Sequence, residues 1–298
     1  MRRFLQVPKL FGRTYSLEIV PRGSTEKIVV AGLRVTFEIT KSVLSHPNLC
    51  KLVIYNPNET TLAALQKKFT RITFNAGYEG LTGLLFKGEI RNAYQGKTST
   101  DRTITLYAAD GERDWQNSRF NKTYSENVNT KQIITDVIES FKGLTQGLIE
   151  GLPDKKDKVM GETLSGSSKD IMDRFAKEYD FNWSIQNEQI TISKTDEPLS
   201  NTQAILITPT TGMIGSPTVT EIGADVTSLL NPKLLPDRLF KIESVNGDVQ
   251  LGNLYFREIK RTTAEGIYKI QEVTFKGDSW DGDWLATIKG RSLNVRPS

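Results

Sequence analysis

Both ends of this 298-residue chain alternate apolar and polar residues with a period of two, and a helical segment separates the two ends. The pattern is clearest in Leu33–Ile39 near the N-terminus and in Tyr268–Phe275 near the C-terminus. A period of two is typical of strands that bury one face. The chain is therefore predicted to be mainly β, with an α+β insertion between two β regions. The further predicted strands are Ser16–Val20, Lys51–Tyr55, Arg71–Phe74, Leu84–Ile90, Thr103–Tyr107, Ala204–Ile207, Leu239–Ser244 and Asn253–Lys260.

The middle of the chain has helical periodicity. Thr130 is a suitable N-cap for a helix that carries Ile133, Ile134, Val137, Ile138 and Phe141 on one face. A Gly-, Asp- and Lys-rich loop is predicted over 143–167, and Ser167 with Asp170 resembles a capping box for a second helix. Phe181–Ile185 and Ile190–Ile192, separated by Gln186 and Asn187, are typical of a hairpin. A shorter helix is predicted after Asn58, with Leu62, Leu65 and Phe69 on one face.

An ungapped internal similarity relates the two β regions. At a shift of 169 residues, 83–115 align with 252–284, with seven identities in 33 positions where chance gives about two. The strongest matches are Glu89-Ile90 with Glu258-Ile259 and Asp114-Trp115 with Asp283-Trp284. We interpret the repeat as two related β domains, 1–115 and 203–298, that flank an α+β module over 116–202. Trp115 and Trp284 are each expected to pack against their own β domain.

The composition excludes several kinds of chemistry. Cys50 and His46 are the sole cysteine and histidine, too few for an intrachain disulfide, a usual zinc site or a Cys–His or Ser–His catalytic pair. The lone cysteine fits a reducing compartment. A net charge of +4, from 39 basic and 35 acidic residues, does not favour a dedicated nucleic-acid binder. We predict no cofactor, no metal site, no catalytic residue, no signal peptide and no membrane insertion.

Three local motifs partly match known kinds of site. Gly161 to Gly166 has the spacing of a P-loop but lacks its lysine, and is predicted to be a loop before a helix. Asp278–Asp283 is acidic, but Lys289 stands at the twelfth position where a calcium loop has glutamate, so a turn is predicted there. The carboxylates of the module that could serve glycoside hydrolysis are Glu150, Glu162, Asp170 and Glu178, each predicted to lie on a solvated surface.

Residues 210–244 carry the most specific pattern in the chain. The segment has the form T-G-x-I-G-x-P, followed by S-L-L-N-P and a Pro-containing turn. It resembles the baseplate hub, or tail-hub, proteins of tailed bacteriophages. At Pro236-Asp237 the sequence departs from the Pro-Gly of that family, although aspartate also tolerates tight turns. The matching residues are Gly212, Ile214, Gly215, Pro217, Ser228, Leu229, Leu230, Asn231 and Pro232.

This resemblance implies a fold and an assembly. Hub chains of this family carry two β-barrel domains like that of the tail tube protein. Three chains form a ring that is quasi-sixfold toward the hexameric tail tube and threefold toward a trimeric central spike. The implied partners are therefore a second and third copy, the tail tube ring and the spike, with the tape-measure protein and baseplate wedge as further candidates. DNA would be in contact only in transit, and the location would be the virion tail baseplate, assembled in the host cytoplasm.

Two other functions stay open at this point. The first is a tail-associated enzyme that degrades peptidoglycan with the module as its catalytic domain. A hydrolase assay with Glu150→Gln, Glu162→Gln and Glu178→Gln separates that function from a structural one. The second is a DNA-contacting tail component, whose binding would weaken steeply with salt.

Overall fold

The computed structural model of the chain describes residues 12–67, 69–156, 161–195, 197, 199, 203–220, 222–244, 248–249 and 264–293. The N-terminal region is β apart from two short helices. Its elements are β1 (Arg13–Val20), β2 (Ile28–Val30), β3 (Val35–Ser42), β4 (Leu49–Tyr55), α1 (Glu59–Leu65), β5 (Arg71–Tyr78), β6 (Leu81–Thr98), β7 (Asp101–Ala109) and α2 (Glu112–Asn117).

The middle region mixes helices and strands, and the C-terminal region is again β. The middle elements are β8 (Arg119–Tyr124), α3 (Thr130–Glu139), β9 (Thr145–Ile149), β10 (Glu162–Ser167), α4 (Ser168–Tyr179), β11 (Phe181–Ile185) and β12 (Gln189–Lys194). The C-terminal strands are β13 (Ile205–Ile207), β14 (Met213–Val219), β15 (Gly223–Leu229), β16 (Leu239–Ser244), β17 (Asp248–Val249), β18 (Ala264–Asp278) and β19 (Trp284–Ser292). The fold is mainly β, as predicted.

Strands from both ends of the chain share one sheet of 14 strands among the described residues. Its order is β17-β14-β15-β19-β18-β3-β4-β7-β6-β5-β1-β2, and β16 joins β18 and carries β13. The two ends meet where β18 pairs antiparallel with β3, from Glu272 opposite Ser42 to Asp278 opposite Thr36. The N-terminal and C-terminal β regions therefore form a continuous hydrogen-bonded surface.

The sheet curls so that strands distant in its order touch. Trp284, at the start of β19, donates its indole N–H to the carbonyl oxygen of Gly77 on β5 at 3.0 Å. Its ring meets that of Phe37 edge-on at 5.1 Å and is 1% exposed. Between the layers lies one hydrophobic cluster that includes residues from both ends, such as Leu17 and Ile288. Such edge-to-face aromatic contact adds to the stabilisation from burial.

The module has its own hydrophobic cluster, built from α3, α4 and the β11–β12 hairpin. The helices bury the predicted faces, with Ile133, Val137 and Phe175 fully enclosed. Asn129, rather than the predicted Thr130, caps α3 through its side-chain oxygen. The prediction of a loop over 143–167 is wrong in two places, where β9 and β10 form. Gln146 and Ile149 of β9 pair with β12. β10, which contains all of the segment with P-loop spacing except Gly161, pairs with β8.

The predicted environment of Trp115 is incomplete, because its ring lies 5.9 Å from that of His46 in the first predicted β domain but also packs against the module. Trp115 lies on α2 and packs against the module cluster, with the Lys169 ammonium 3.8 Å from its ring centre. Trp284, its partner in the repeat, begins a strand and is buried within the sheet core. Their surroundings differ because the chain forms a helix at Asp114-Trp115 and a strand beginning at Trp284.

The repeat itself stays a prediction, as do the domain boundaries at 116 and 203. Glu89 and Ile90 lie on β6, whereas Glu258 and Ile259, with the predicted strand Asn253–Lys260, lie outside the described residues. Within the described residues, no helix combines the length and apolar character needed to cross a membrane.

We expect Trp284→Ala to lower the free energy of unfolding by about 3–5 kcal/mol, because it leaves a cavity and an unpaired Gly77 carbonyl. Urea unfolding followed by circular dichroism measures the change. Tyr94→Phe is the control, since Tyr94 is 57% exposed and should change stability by less than about 0.5 kcal/mol. Equal midpoints for Trp284→Ala and the control would contradict this role for Trp284.

Candidate functional site

On three neighbouring strands, the series of inward-facing apolar residues ends in a buried polar side chain, and these polar side chains form a row. Along β3 the buried positions are Val35, Phe37 and Ile39, and the next position of the same parity is Lys41, which is fully buried. Along β7 the inward series ends in the same way at Asp110, one residue past the strand. Asn48, just before β4, lies between them and accepts from the Ser42 N–H at 3.1 Å. The row needs polar partners because buried charges are costly when unpaired.

The partner of this row is the turn of the module's β11–β12 hairpin. Asn187 and Glu188 have φ of 57° and 65°, the two left-handed residues of a type I′ turn. Their N–H groups both donate to the Asp110 carboxylate at 2.5 Å. Lys41 donates to the Asn187 side-chain oxygen at 2.7 Å, and Asn48 donates to the Ile185 carbonyl at 2.6 Å. The module is thus held to the sheet by buried hydrogen bonds.

Burial shifts the two charged groups of this junction toward their neutral forms. It raises the pKa of Asp110 to about 6, against the lowering effects of Lys41 and the two backbone donors. It lowers the pKa of Lys41 to about 8, against the nearby Asp110, which raises it.

Glu188 occupies a turn position where glycine is usual, and its side chain explains the exception. The residue is 8% exposed, and its carboxylate lies 2.9 Å from the Lys87 ammonium and 3.5 Å from Arg71. These ion pairs tie the turn to β5 and β6 and offset the cost of a left-handed backbone at a non-glycine residue.

A second buried junction holds the end of β12 and the segment that follows it to β18. Lys269 of β18, which is 1% exposed, lies 2.9 Å from the Asp237 carboxylate, and Asp237 also accepts from the Ser193 hydroxyl at 2.6 Å. The Lys269 ammonium further donates to the carbonyls of Lys194 and Glu197 at 2.7 and 3.0 Å. Asp237 has a φ of 67° in a turn that the Arg238 N–H closes on the Leu235 carbonyl, so aspartate here takes the left-handed conformation that it tolerates.

A cleft of about 580 Å³ separates the sheet from the module. Its apolar lining includes Phe69, Ile90, Ala109 and Leu144. Three arginines that are each more than 40% exposed also line it, together with Asp114 and with three glutamates that are 10–21% exposed and paired with the arginines, so the formal charges of the lining nearly balance. We call this the arginine cleft. The arginines are Arg71, Arg91 and Arg113, and the glutamates are Glu89, Glu112 and Glu188.

Phe69 lines this cleft with a partly exposed side chain. It was predicted as the last apolar residue of a helix, but α1 ends at Leu65, and Phe69 has a φ of 62° and is 37% exposed. Its ring lies between the guanidinium groups of Arg22 and Arg113, at 4.9 and 6.0 Å. A bulky residue in the left-handed region is strained, which suggests a functional reason for its position.

The acidic turn between β18 and β19 is rigidly held yet exposes a tryptophan. Asp278 forms a two-pronged ion pair with Arg34, and Ser279 exchanges hydrogen bonds with Val35. Arg13 donates to the carbonyls of Asp278 and Gly282 at 2.9 and 2.8 Å. Burial acts to raise the pKa of Asp278, but hydrogen bonds from Arg34 and the Trp280 N–H lower it overall. We call residues 279–283 the Trp280 loop.

The outward face of the sheet is polar and nearly neutral. One row across four strands consists of threonines, and a neighbouring row alternates Lys51, Glu38 and Lys276. Thr40 and Thr274 hydroxyls lie 3.2 Å apart, and those of Thr227 and Thr287 lie 3.5 Å apart. The threonine row is Thr40, Thr274, Thr287 and Thr227.

One edge of this sheet is free over a long stretch. The second half of β6, Asn92–Thr98, pairs with β7, and no described strand pairs with its other edge. Tyr94 on this stretch meets Tyr107 edge-on at 6.1 Å, and both rings are more than 40% exposed. A long free edge is a template for pairing with another chain.

The family-signature residues lie on β14, β15 and the turn that follows. Gly215 has a φ of 69° where the β14–β15 register shifts, so it supplies the backbone freedom of a bulge. Leu230 is fully buried and its N–H donates to the Trp284 carbonyl at 2.9 Å. Pro232 packs so closely on Gly83 of β6 that a Cβ there would lie 2.9 Å from the proline Cβ. The signature therefore fixes the curl of the sheet.

The remaining candidate carboxylates do not converge on either of the clefts described. Glu150 follows β9, Glu162 lies on β10 and pairs with Arg174 at 2.8 Å, and Asp170 and Glu178 lie on α4. None of them lines the arginine cleft or the smaller cleft of about 340 Å³ beside the Trp280 loop. The described residues hold no cluster of three or more possible metal ligands.

The sequence matches the family described as baseplate hub gp41 over residues 17–251. The chain belongs to this family, and it is a structural component of a phage tail baseplate. A search of curated proteins found none with significant sequence similarity.

Solved tail proteins share the fold. The 43 kDa tail protein of prophage MuSo2 from Shewanella oneidensis aligns with a TM-score of 0.62 and 11% identity, covering 94% of this chain and 98% of that one. A tail protein from Neisseria meningitidis MC58 aligns with a TM-score of 0.59 and 9% identity, covering 95% and 97%. The Escherichia coli c3393 protein, a type VI secretion component with similarity to T4 tail proteins gp27 and gp5, gives 0.56 and 14%, covering 95% and 79%.

We expect Asp110→Asn to destabilise the protein by about 1–3 kcal/mol, since an amide accepts from one of the two turn N–H groups and opposes the other. Hydrogen exchange should show faster exchange at Asn187 and Glu188, with α3 and α4 unchanged. Asp225→Asn, at an exposed position of β15, is the matched control. Undiminished protection at both turn amides would contradict the junction's role.

The raised pKa of Asp110 should also make the stability of the protein depend on pH. Because the folded-state pKa of Asp110 lies above that of an unfolded aspartate, the folded protein takes up the proton first, and stability rises as the pH falls through about 6. As the pH is lowered below about 6, the free energy of unfolding of the wild type should rise relative to that of Asp110→Asn. The rise should approach ~1 kcal/mol for each pH unit. If the curves of unfolding free energy against pH were parallel for the wild type and Asp110→Asn, the raised pKa of Asp110 would be contradicted.

Proposed function

We propose that this chain is the hub subunit that forms a trimeric, quasi-sixfold ring between the hexameric tail tube and a trimeric central spike. Membership of the baseplate hub gp41 family is the observation that carries the proposal. In this ring the three curled sheets form the wall, and the modules lie outside that wall. DNA passes through the ring during ejection, and the chain acts as a structural component without catalysis of its own.

The free edge of β6 supports self-assembly by strand pairing. Residues Asn92–Thr98 offer seven consecutive positions with one unpaired edge among the described strands. Strands at the opposite end of the sheet order, around β14 and β17, supply a different edge. A contact between two different edges is heterologous, and such contacts close into rings when the rotation permits.

The polar face of the sheet suits a channel for DNA. Its exposed lysines, Lys51, Lys276 and Lys289, are each opposite an acidic residue in the neighbouring strand, as in the 2.8 Å pair of Lys289 with Glu272. Alternating charges leave no cluster of cations to hold phosphates, which would slow the passage of DNA. We therefore assign this face to the lumen of the ring.

Light scattering on the purified chain, with negative-stain images of the same peak, tests the ring. We expect a mass of three chains and ring-shaped particles. Tyr94→Pro and Gln95→Pro test the edge, because successive N–H groups of a strand face opposite sides. One of these prolines removes a donor from the β6–β7 ladder, whereas the other removes the donor that faces outward.

Thermal unfolding tells the two proline variants apart, since the one that leaves the midpoint unchanged is the edge-facing variant. We expect it to be monomeric, and the wild type to be trimeric. A trimer of the edge-facing variant would contradict strand pairing through β6. A wild type that stays monomeric at all soluble concentrations would contradict the self-assembled ring.

A further inference from the structure

We propose that the module acts as a clamp on the seam between the two β regions, with β12 as its strap. The seam is the pairing of β3 with β18, which runs from Ser42 opposite Glu272 to Thr36 opposite Asp278. The turn before β12 is bonded to the N-terminal β region, and the end of β12 is bonded to the C-terminal β region. The clamp acts within a single chain, so it does not depend on the proposed ring.

The sheet has a break beside one end of this seam, because β18 changes its partner there. β18 pairs with β19 along one edge, so β16 and β3 both pair with its other edge. β16 covers that edge up to Lys269, and β3 covers it from Glu272 onward. The two strands are thus placed end to end, with Ile270 and Gln271 between them. Strand ends are where local opening costs least, so the seam is expected to open first at this break.

On one side of the break, the strap is bonded to the end of β3. Lys41 donates to the Asn187 side-chain oxygen at 2.7 Å, and the Asn187 N–H donates to the Asp110 carboxylate at 2.5 Å. The Gln186 side-chain amide also donates to the Ser42 carbonyl at 2.8 Å. The last two residues of β3 are therefore both held by the turn of the module.

On the other side of the break, the strap is bonded to the residue that leads into β16. The Ser193 hydroxyl donates to Asp237 at 2.6 Å, and the Asp237 N–H donates to the Ile270 carbonyl at 2.9 Å. Lys269 of β18 donates to the Lys194 carbonyl at 2.7 Å. Ser193, Asp237 and Lys269 are each at most 2% exposed, so water does not compete for these bonds. The strap thus joins the end of β3 to the start of β16.

The far end of the seam is closed without the module. Arg34, just before β3, forms a two-pronged ion pair with Asp278, and Ser279 exchanges hydrogen bonds with Val35. Loss of the strap should therefore loosen the seam at its Ser42 end alone.

Hydrogen exchange resolved by residue tests the clamp with two variants that each release one end of the strap. Asn187→Gly suits the left-handed turn but removes the acceptor of Lys41. Ser193→Ala removes the hydroxyl that donates to Asp237.

Two amides report on the two ends of the seam. The Val43 N–H bonds to the Gln271 carbonyl beside the break, and the Ser279 N–H bonds to the Val35 carbonyl at the far end. Each variant should speed exchange at Val43 at least about fivefold and leave exchange at Ser279 within about twofold of the wild type. Arg174→Gln, which breaks an exposed ion pair within the module, is the matched control and should leave both amides unchanged.

Combining Asn187→Gly with Ser193→Ala distinguishes a strap from two separate bonds. A strap bridges the break only while both of its ends are held, so the second substitution should speed exchange at Val43 by no more than about twofold further. Two independent bonds would instead give effects that multiply, and that result would overturn the clamp.

The remaining outcomes are equally decisive. Unchanged exchange at Val43 in both single variants would overturn the clamp. Equal acceleration at Val43 and Ser279 would also overturn it, because the variants would then lower the stability of the whole sheet. Light scattering measures the ring separately, so a monomeric chain with the expected exchange would contradict the ring and leave the clamp standing.

Discussion

The pairing of β18 with β3 is the constraint on which the rest of the structure depends. It joins strands more than 200 positions apart into one surface, so neither β region has an independent edge at this seam. The side chain of Trp284 then fixes the curl, because its N–H reaches the Gly77 carbonyl and its ring fills the space beside Phe37. The family-signature turn at Leu230 and Pro232 packs at the same place, which explains its structural rather than chemical character.

The attachment of the module follows a different principle from the sheet. Its hydrophobic cluster shares no residue with that of the sheet. The two are joined by the buried bonds of Asp110, Asn48 and Lys41 at one junction and by those of Lys269 and Asp237 to β12 at the other. Polar junctions depend on geometry more than apolar ones, because every donor must find its acceptor. The module is therefore fixed in orientation while contributing little shared core.

Much of the local structure is predictable from the sequence. The strands follow from period-two alternation, α1 from the Asn58 cap and its spacing, and the hairpin from its apolar runs. The curl of the sheet is not predictable in this way, because it depends on a contact between residues far apart in the chain. The contact of Trp115 with the module is not predictable for the same reason, whereas Phe69 leaves the predicted helix at a local turn in which the Thr70 hydroxyl donates to the carbonyls of Ala64 and Lys67. The sequence does indicate that Lys41 and Asp110 face inward, because each continues the alternation of its strand. The alternation alone does not identify the turn to which they bond.

In the proposed ring, one chain would have to serve two symmetries. A ring wall made of continuous sheet must be stiff and laterally uniform, and the threonine and alternating-charge rows give it that uniformity. In that ring, threefold character would come from a part that occurs once per chain, which is the module. Because the module is bonded through a turn of defined geometry, it holds one wall of the cleft, at Gly143 and Leu144, in register with the arginines of the sheet. The junction at Asp110 thereby couples the position of the module to the shape of the arginine cleft.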